Sequence, residues 1–136
     1  MSGLTTALIT VLIGVLTLTV GQVLIRGLLE PGLELKRLIG RVAHDLDFYA
    51  NKMFDDPEAQ AARDAFRKDA CELRERLYLV VWYWLFFVTW QLPRRKNVAR
   101  AAQLLIGQSN FPAKIQPPLW WHDQSGEIKK LLRITT

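Results

Sequence analysis

Hydrophobic and polar positions follow two regimes along this chain. Residues 1–25 contain no Asp, Glu, Lys, Arg or His, and every charged side chain lies at or after Arg26. Within the charge-free stretch, residues 4–25 form an apolar run of 22. As a helix rising about 1.5 Å per residue the run measures about 33 Å, enough to cross a hydrocarbon core of about 30 Å. The expectation is a transmembrane anchor over residues 1–27. A cleaved signal peptide needs a basic leading flank and a small-residue cleavage site. Here the run has no leading Lys or Arg and continues straight into Arg26.

The anchor carries a pattern of its own. Thr6, Thr10, Gly14, Thr17 and Gly21 recur at spacings of four, four, three and four, so they share one helical stripe. Small residues at such spacing let helix backbones approach closely in lipid, and Thr hydroxyls can bond across the contact. The stripe predicts self-association of the span. A pore lined by the threonines is the alternative use of the same stripe.

Beyond Arg26 the apolar positions become sparse and helically periodic. Glu30-Pro31-Gly32 predicts a break or bend just past the span. A helix is expected over 33–54, with Leu35, Ile39, Val42, Leu46, Tyr49 and Met53 as its seam. Its opposite face carries Lys36, Arg37, Arg41, His44, Asp45 and Lys52. Asp55-Asp56-Pro57-Glu58 reads as an acidic N-cap followed by Pro in the first turn. The helix it starts should cover 57–79, with Ala59, Ala62, Phe66, Ala70 (or Cys71), Leu73 and Leu77 inward. The short connection makes the two helices antiparallel neighbours.

Residues 77–90 are fourteen uncharged positions, half of them aromatic. At about 21 Å of helix the segment is short for a span, and Trp and Tyr favour the headgroup region. Trp82, Tyr83, Trp84 and Trp90 are therefore expected at the membrane interface. Arg94, Arg95 and Lys96 follow Pro93 and are placed to meet anionic headgroups. Burial in the body and a second span are the competing readings of this segment. A further helix is expected over 95–106, with Val98, Ala101, Ala102, Leu105 and Ile106 on its apolar face and Gly107 as its stop. Residues 108–125 read as an extended loop, whose Trp120 and Trp121 either dip into lipid or dock on the body. A last helix over 125–134, with Ile128, Leu131 and Leu132 on one side, has the composition of a surface-lying amphipathic helix.

Charge and chemistry narrow the function classes. Net charge is +5, and its distribution is uneven. Residues 26–76 hold ten Lys/Arg against eleven Asp/Glu, whereas 91–136 hold eight against two. The basic C-terminal third suits an anionic lipid surface. Nucleic acid is the weaker partner, because no recognisable module is present and the aromatics cluster apart from the Lys/Arg. Cys71 is the sole cysteine, so neither an internal disulfide nor a multi-cysteine metal site can form; it is expected as a small core residue. His44 and His122 are the only histidines, and His44 beside Asp45 and Asp47 reads as a solvated helix face. No phosphate loop, nucleophile elbow, haem or zinc motif occurs, so neither catalysis nor a cofactor or metal is expected.

Two stretches carry a resemblance. One is Gly21-Gln-Val-Leu with Glu30-Pro31 and Ile39-Gly-Arg-Val-Ala-His-Asp-Leu-Asp-Phe-Tyr-Ala-Asn51. The other is Leu92-Pro-Arg-Arg-Lys-Asn-Val and Leu104-Leu-Ile-Gly-Gln-Ser-Asn110. They resemble a group of small bacterial membrane proteins with one N-terminal span and a helical cytoplasmic body, a group without an established activity. The likeness covers roughly residues 20–110 and implies no functional residue.

The expected protein is all-α: an N-terminal transmembrane helix, an antiparallel helical hairpin, an aromatic interfacial helix and short C-terminal helices. Its regions are an anchor over 1–27, a hairpin with the aromatic segment over 28–92, and a basic region over 93–136. Basic residues follow the span and none precedes it, which predicts an inner-membrane protein with its N-terminus outside and its body cytoplasmic. Its expected role is a self-associating scaffold or accessory subunit of a bacterial inner-membrane complex. Its partners are anionic lipid, further copies of itself or another membrane protein. A small oligomeric channel or membrane-disrupting effector with a Thr/Gly-lined bundle is the alternative.

Overall fold

The structure, a computed structural model, describes residues 3–50, 58–80, 83–89, 91–110 and 119–134. Every regular element among them is helical. Helix α1 (Gly3–Leu24), a widened turn at Ile25–Leu29 and α2 (Glu30–Phe48) continue as one helix of 46 residues, Gly3–Phe48. There follow α3 (Glu58–Leu79), α4 (Tyr83–Thr89), α5 (Arg95–Ser109) and α6 (Leu119–Leu131).

The break expected at Glu30-Pro31-Gly32 does not occur. Proline in a helix lacks an N–H, and its ring crowds the carbonyl four residues back, here that of Gly27. The chain absorbs this by widening the preceding turn instead of stopping. The Glu30 N–H donates to the Ile25 carbonyl, five residues back, a π-type bond. Pro31 follows this bond directly, so the widened turn is what accommodates its ring and its missing N–H within a continuous helix.

α2 and α3 bury the stripes that their spacing predicts. Leu35, Ile39, Val42 and Leu46 of α2 are buried, together with Leu38, and Tyr49 is partly buried against the core. Ala59, Ala62, Phe66, Ala70, Leu73 and Leu77 of α3 all lie inside. Ala70 takes the seam position; Cys71 is exposed, contrary to the expectation of a core residue. One residue is a 100° step on a helix, and Ala70 follows Phe66 by four, so Cys71 turns outward. Met53 and the Asp55–Asp56–Pro57 cap lie outside the described residues.

α3 is the central element, packed against α2 and against α5, and α5 carries α6. Two ion pairs fix the level of α3 on α2: Glu34 with Arg76, and Arg41 with Glu72 at 3.0 Å. Two contacts fix it on α5: Arg67 donates to Asn110 at 3.0 Å, and the Arg95 guanidinium lies 5.8 Å over the Tyr78 ring. Together they bring the start of α2, the end of α3 and the start of α5 to one end of the body. That is the end from which α1 departs.

Two C-terminal elements differ in extent from the sequence expectation. α5 passes through Gly107 and ends at Ser109. Gly107 costs about 1 kcal/mol of helix propensity relative to Ala, but Gln108 and Ser109 beyond it are buried, and their contacts hold the last turn. α6 begins at Leu119, inside the expected loop. Trp121 is 2% exposed and joins Ile128 and Leu132 in the core, so the tryptophan docks on the body. The same burial corrects the expectation of a surface-lying last helix: its apolar side faces α5. The side chain of Trp120 lies outside the description.

Candidate functional site

α1 is apolar all round, and none of its residues is buried. Exposure of its large hydrophobic side chains runs from 46% at Ile9 to 74% at Leu4. A helix with this composition has no stable place in water as a single exposed rod. It is long and apolar enough to span a membrane.

All five stripe residues lie on this helix and are reachable from outside it: Thr6, Thr10, Gly14 and Thr17 are exposed and Gly21 is half-buried. Gly14, Thr17, Leu18, Gly21, Gln22 and Ile25 line a shallow apolar groove. A Cβ built on Gly14 or Gly21 would meet nothing within 4 Å, so the groove is open to an incoming helix. Two of the three stripe threonines are already bonded along their own helix: Thr10 Oγ1 donates to the Thr6 carbonyl at 2.9 Å, and Thr17 Oγ1 to the Ile13 carbonyl at 2.8 Å. With that donor used, what the stripe offers a neighbour is mainly close backbone approach.

The aromatic segment divides. Tyr83 was expected at the membrane interface and is instead buried in the body at 9% exposure. Its hydroxyl donates to the Pro93 carbonyl at 2.5 Å, which satisfies the polar end that would otherwise favour water. Burial pushes its phenol up to about 12, against the opposing pull of Arg95. Trp84 and Val88 are exposed. Phe87 lies between two cations, with the guanidinium of Arg94 5.9 Å and that of Arg133 5.4 Å from its ring centre. Arg94, Arg95 and Lys96 are exposed. Trp82 and Trp90 lie outside the described residues.

Asp69 is the residue that sequence reasoning missed. It sits in the α3 seam between Phe66 and Leu73, is 1% exposed, and its Oδ2 accepts no hydrogen bond. Burial pushes its carboxyl up to about 7, helped by the charge of Asp45 and a hydrogen bond with it and by Glu72, while Arg41 pulls the other way. The signal was present in the spacing, since 66, 69 and 73 share one face. Gln108 was missed too: fully buried, it donates through Nε2 to Ser125 Oγ at 3.1 Å, joining α5 to α6.

Reactive groups do not converge among the described residues. No group of three or more His, Cys, Asp or Glu side chains is placed to hold a metal ion. His44 is exposed, with Nδ1 3.1 Å from Asp45 Oδ1 and its ring stacked on Phe48. His122 lines a cavity of about 270 Å³ between α2 and α6, which also holds the ion pair of Lys129 with Asp47. No family model, curated protein or solved structure matches the chain.

Proposed function

We propose that this chain is a membrane-anchored, non-catalytic helical scaffold or accessory subunit that associates with copies of itself through its span. The observation that carries the reading is the unbroken helix Gly3–Phe48: one half exposes apolar side chains on every side, and the other half packs into the body against α3. An anchor continuous with a helix of the body keeps that body next to the bilayer, which suits a structural role. The body is read as an antiparallel α2–α3 hairpin extended by α5 and α6. Arg26, Lys36, Arg37 and Arg41 directly after the apolar half support a cytoplasmic body, and the resemblance described above supports a bacterial inner membrane.

The stripe of Thr6, Thr10, Gly14, Thr17 and Gly21 is the proposed self-association surface. Thr10 and Thr17 spend their donors inside the helix, which favours a packed contact over a water-lined pore. The mass of the purified full chain in mild detergent tests the proposal. The expected result is a defined oligomer that Gly14→Leu with Gly21→Leu reduces to monomer at unchanged helicity. A wild-type monomer overturns self-association. Ion flux through reconstituted vesicles, abolished by Thr10→Leu, overturns the scaffold reading in favour of a channel.

A further inference from the structure

The end of the body from which α1 departs carries an exposed apolar and basic surface that the scaffold role does not use. Glu34 lies nine residues past Ile25, about 14 Å of helix. Its partner Arg76 lies three residues before the end of α3, about 5 Å. The end of α3 therefore stands about 9 Å from the level at which the apolar helix ends, within reach of a headgroup layer about 5–8 Å deep. At and after this end, Tyr78 is 76% exposed, Leu79 48%, Trp84 65% and Val88 73%. These are the largest exposures of apolar side chains among the described residues outside Gly3–Phe48.

Cations surround this patch. Arg95 lies over Tyr78, Arg94 and Arg133 lie over Phe87, and Lys96 is exposed beside them. Arg95 and Lys96 also occupy the first turn of α5, where the helix dipole is already positive, and no acid stands there to offset them. Each such charge opposes the helix dipole, an unfavourable contact that an anionic neighbour reverses. Apolar rings with a cationic rim match the chemistry of a headgroup layer that holds anionic lipid.

We propose that this end of the body is a second membrane contact, in which Tyr78, Trp84 and Val88 enter the headgroup layer and Arg94, Arg95 and Lys96 bind anionic lipid phosphates. The proposal rests on the anchoring reading of α1. It gives the body a lipid-dependent posture: docked on anionic bilayers, raised on neutral ones.

The test uses full-length protein in vesicles of zwitterionic lipid, with or without added anionic lipid, and a thiol-linked environment-sensitive dye. Cys71 stands eight residues before the end of α3, about 12 Å further from the proposed surface, and is exposed, so it serves as the built-in control. A second chain carries Cys71→Ser with Val88→Cys. At position 88 the dye should be quenched by headgroup nitroxides in anionic vesicles and far less in zwitterionic ones, while the dye on Cys71 stays in water in both. Replacing Arg94, Arg95 and Lys96 by Gln should lower the docked-to-raised ratio by about fivefold per charge, and added salt should act in the same direction. A chain that resists carbonate extraction but whose dye at 88 is no more quenched than at Cys71 overturns the proposal alone. So does a dye at 88 shielded equally in vesicles and in detergent, which places a protein against the patch. A chain that carbonate releases overturns the anchoring reading, and this proposal with it.

Discussion

At the scale of single residues, buried polar groups account for most of what the hydrophobic pattern does not reveal. Asp69 sits where a seam residue belongs, and its carboxyl is held up to about 7 by burial and by Asp45. An unfolded carboxyl titrates near about 4, so between about pH 4 and 7 the folded chain keeps a proton that the unfolded chain releases. The stability this proton provides is complete below about pH 4 and is lost as pH rises through about 7. Denaturation in mild detergent should show a loss of roughly 2–4 kcal/mol across that window, and Asp69→Asn should flatten it and raise stability at pH 8. An unaltered slope in Asp69→Asn would assign the pH dependence to another group. Tyr83→Phe removes the donor to the Pro93 carbonyl and should cost about 1–2 kcal/mol without moving the dye response described above. The apolar pattern alone reveals the burial of neither Asp69 nor Tyr83. A seam pattern counts apolar positions, so it passes over an aspartate in register, and an aromatic run does not say which ring turns inward.

At the scale of elements, the regular helices were legible because their periodicity is strong. The α3 stripe from Ala59 to Leu77 is buried residue for residue, and the α5 face from Val98 to Leu105 follows its spacing. Phe66 is among the largest fully buried side chains of the described residues, and Phe66→Ala should cost about 3–5 kcal/mol, read as a lower denaturation midpoint with helicity retained before the transition. Helix ends were less legible, because local breakers compete with contacts made far away in sequence. Gly107 is a natural stop, yet Gln108 reaches Ser125 and the helix continues. The prolines before Leu119 suggest a loop, yet the burial of Trp121 draws the following residues into α6. Pro31 is the sharpest case: a break is predicted there, and a π-type turn at Ile25–Leu29 accommodates the proline without ending the helix.

At the scale of the molecule, charge-free and charge-bearing halves of the sequence correspond to an exposed apolar helix and a packed helical body, and both were readable from composition. What composition could not convey is how the two are joined. Nitroxide labels at Leu8 and His44, both exposed, are separated by 36 residues and should lie about 54 Å apart with a narrow distribution. A broad, shorter distribution would indicate a hinge at Pro31. The continuous helix has a mechanical consequence. The exposed apolar helix α1 and the body helix α2 share one axis, so the join acts as a drive shaft. A neighbour that rotates the apolar half by one residue's step, about 100°, turns α2 by the same angle, and a piston-like shift is delivered at full amplitude. The widened turn at Ile25–Leu29 is where such a shaft would yield first.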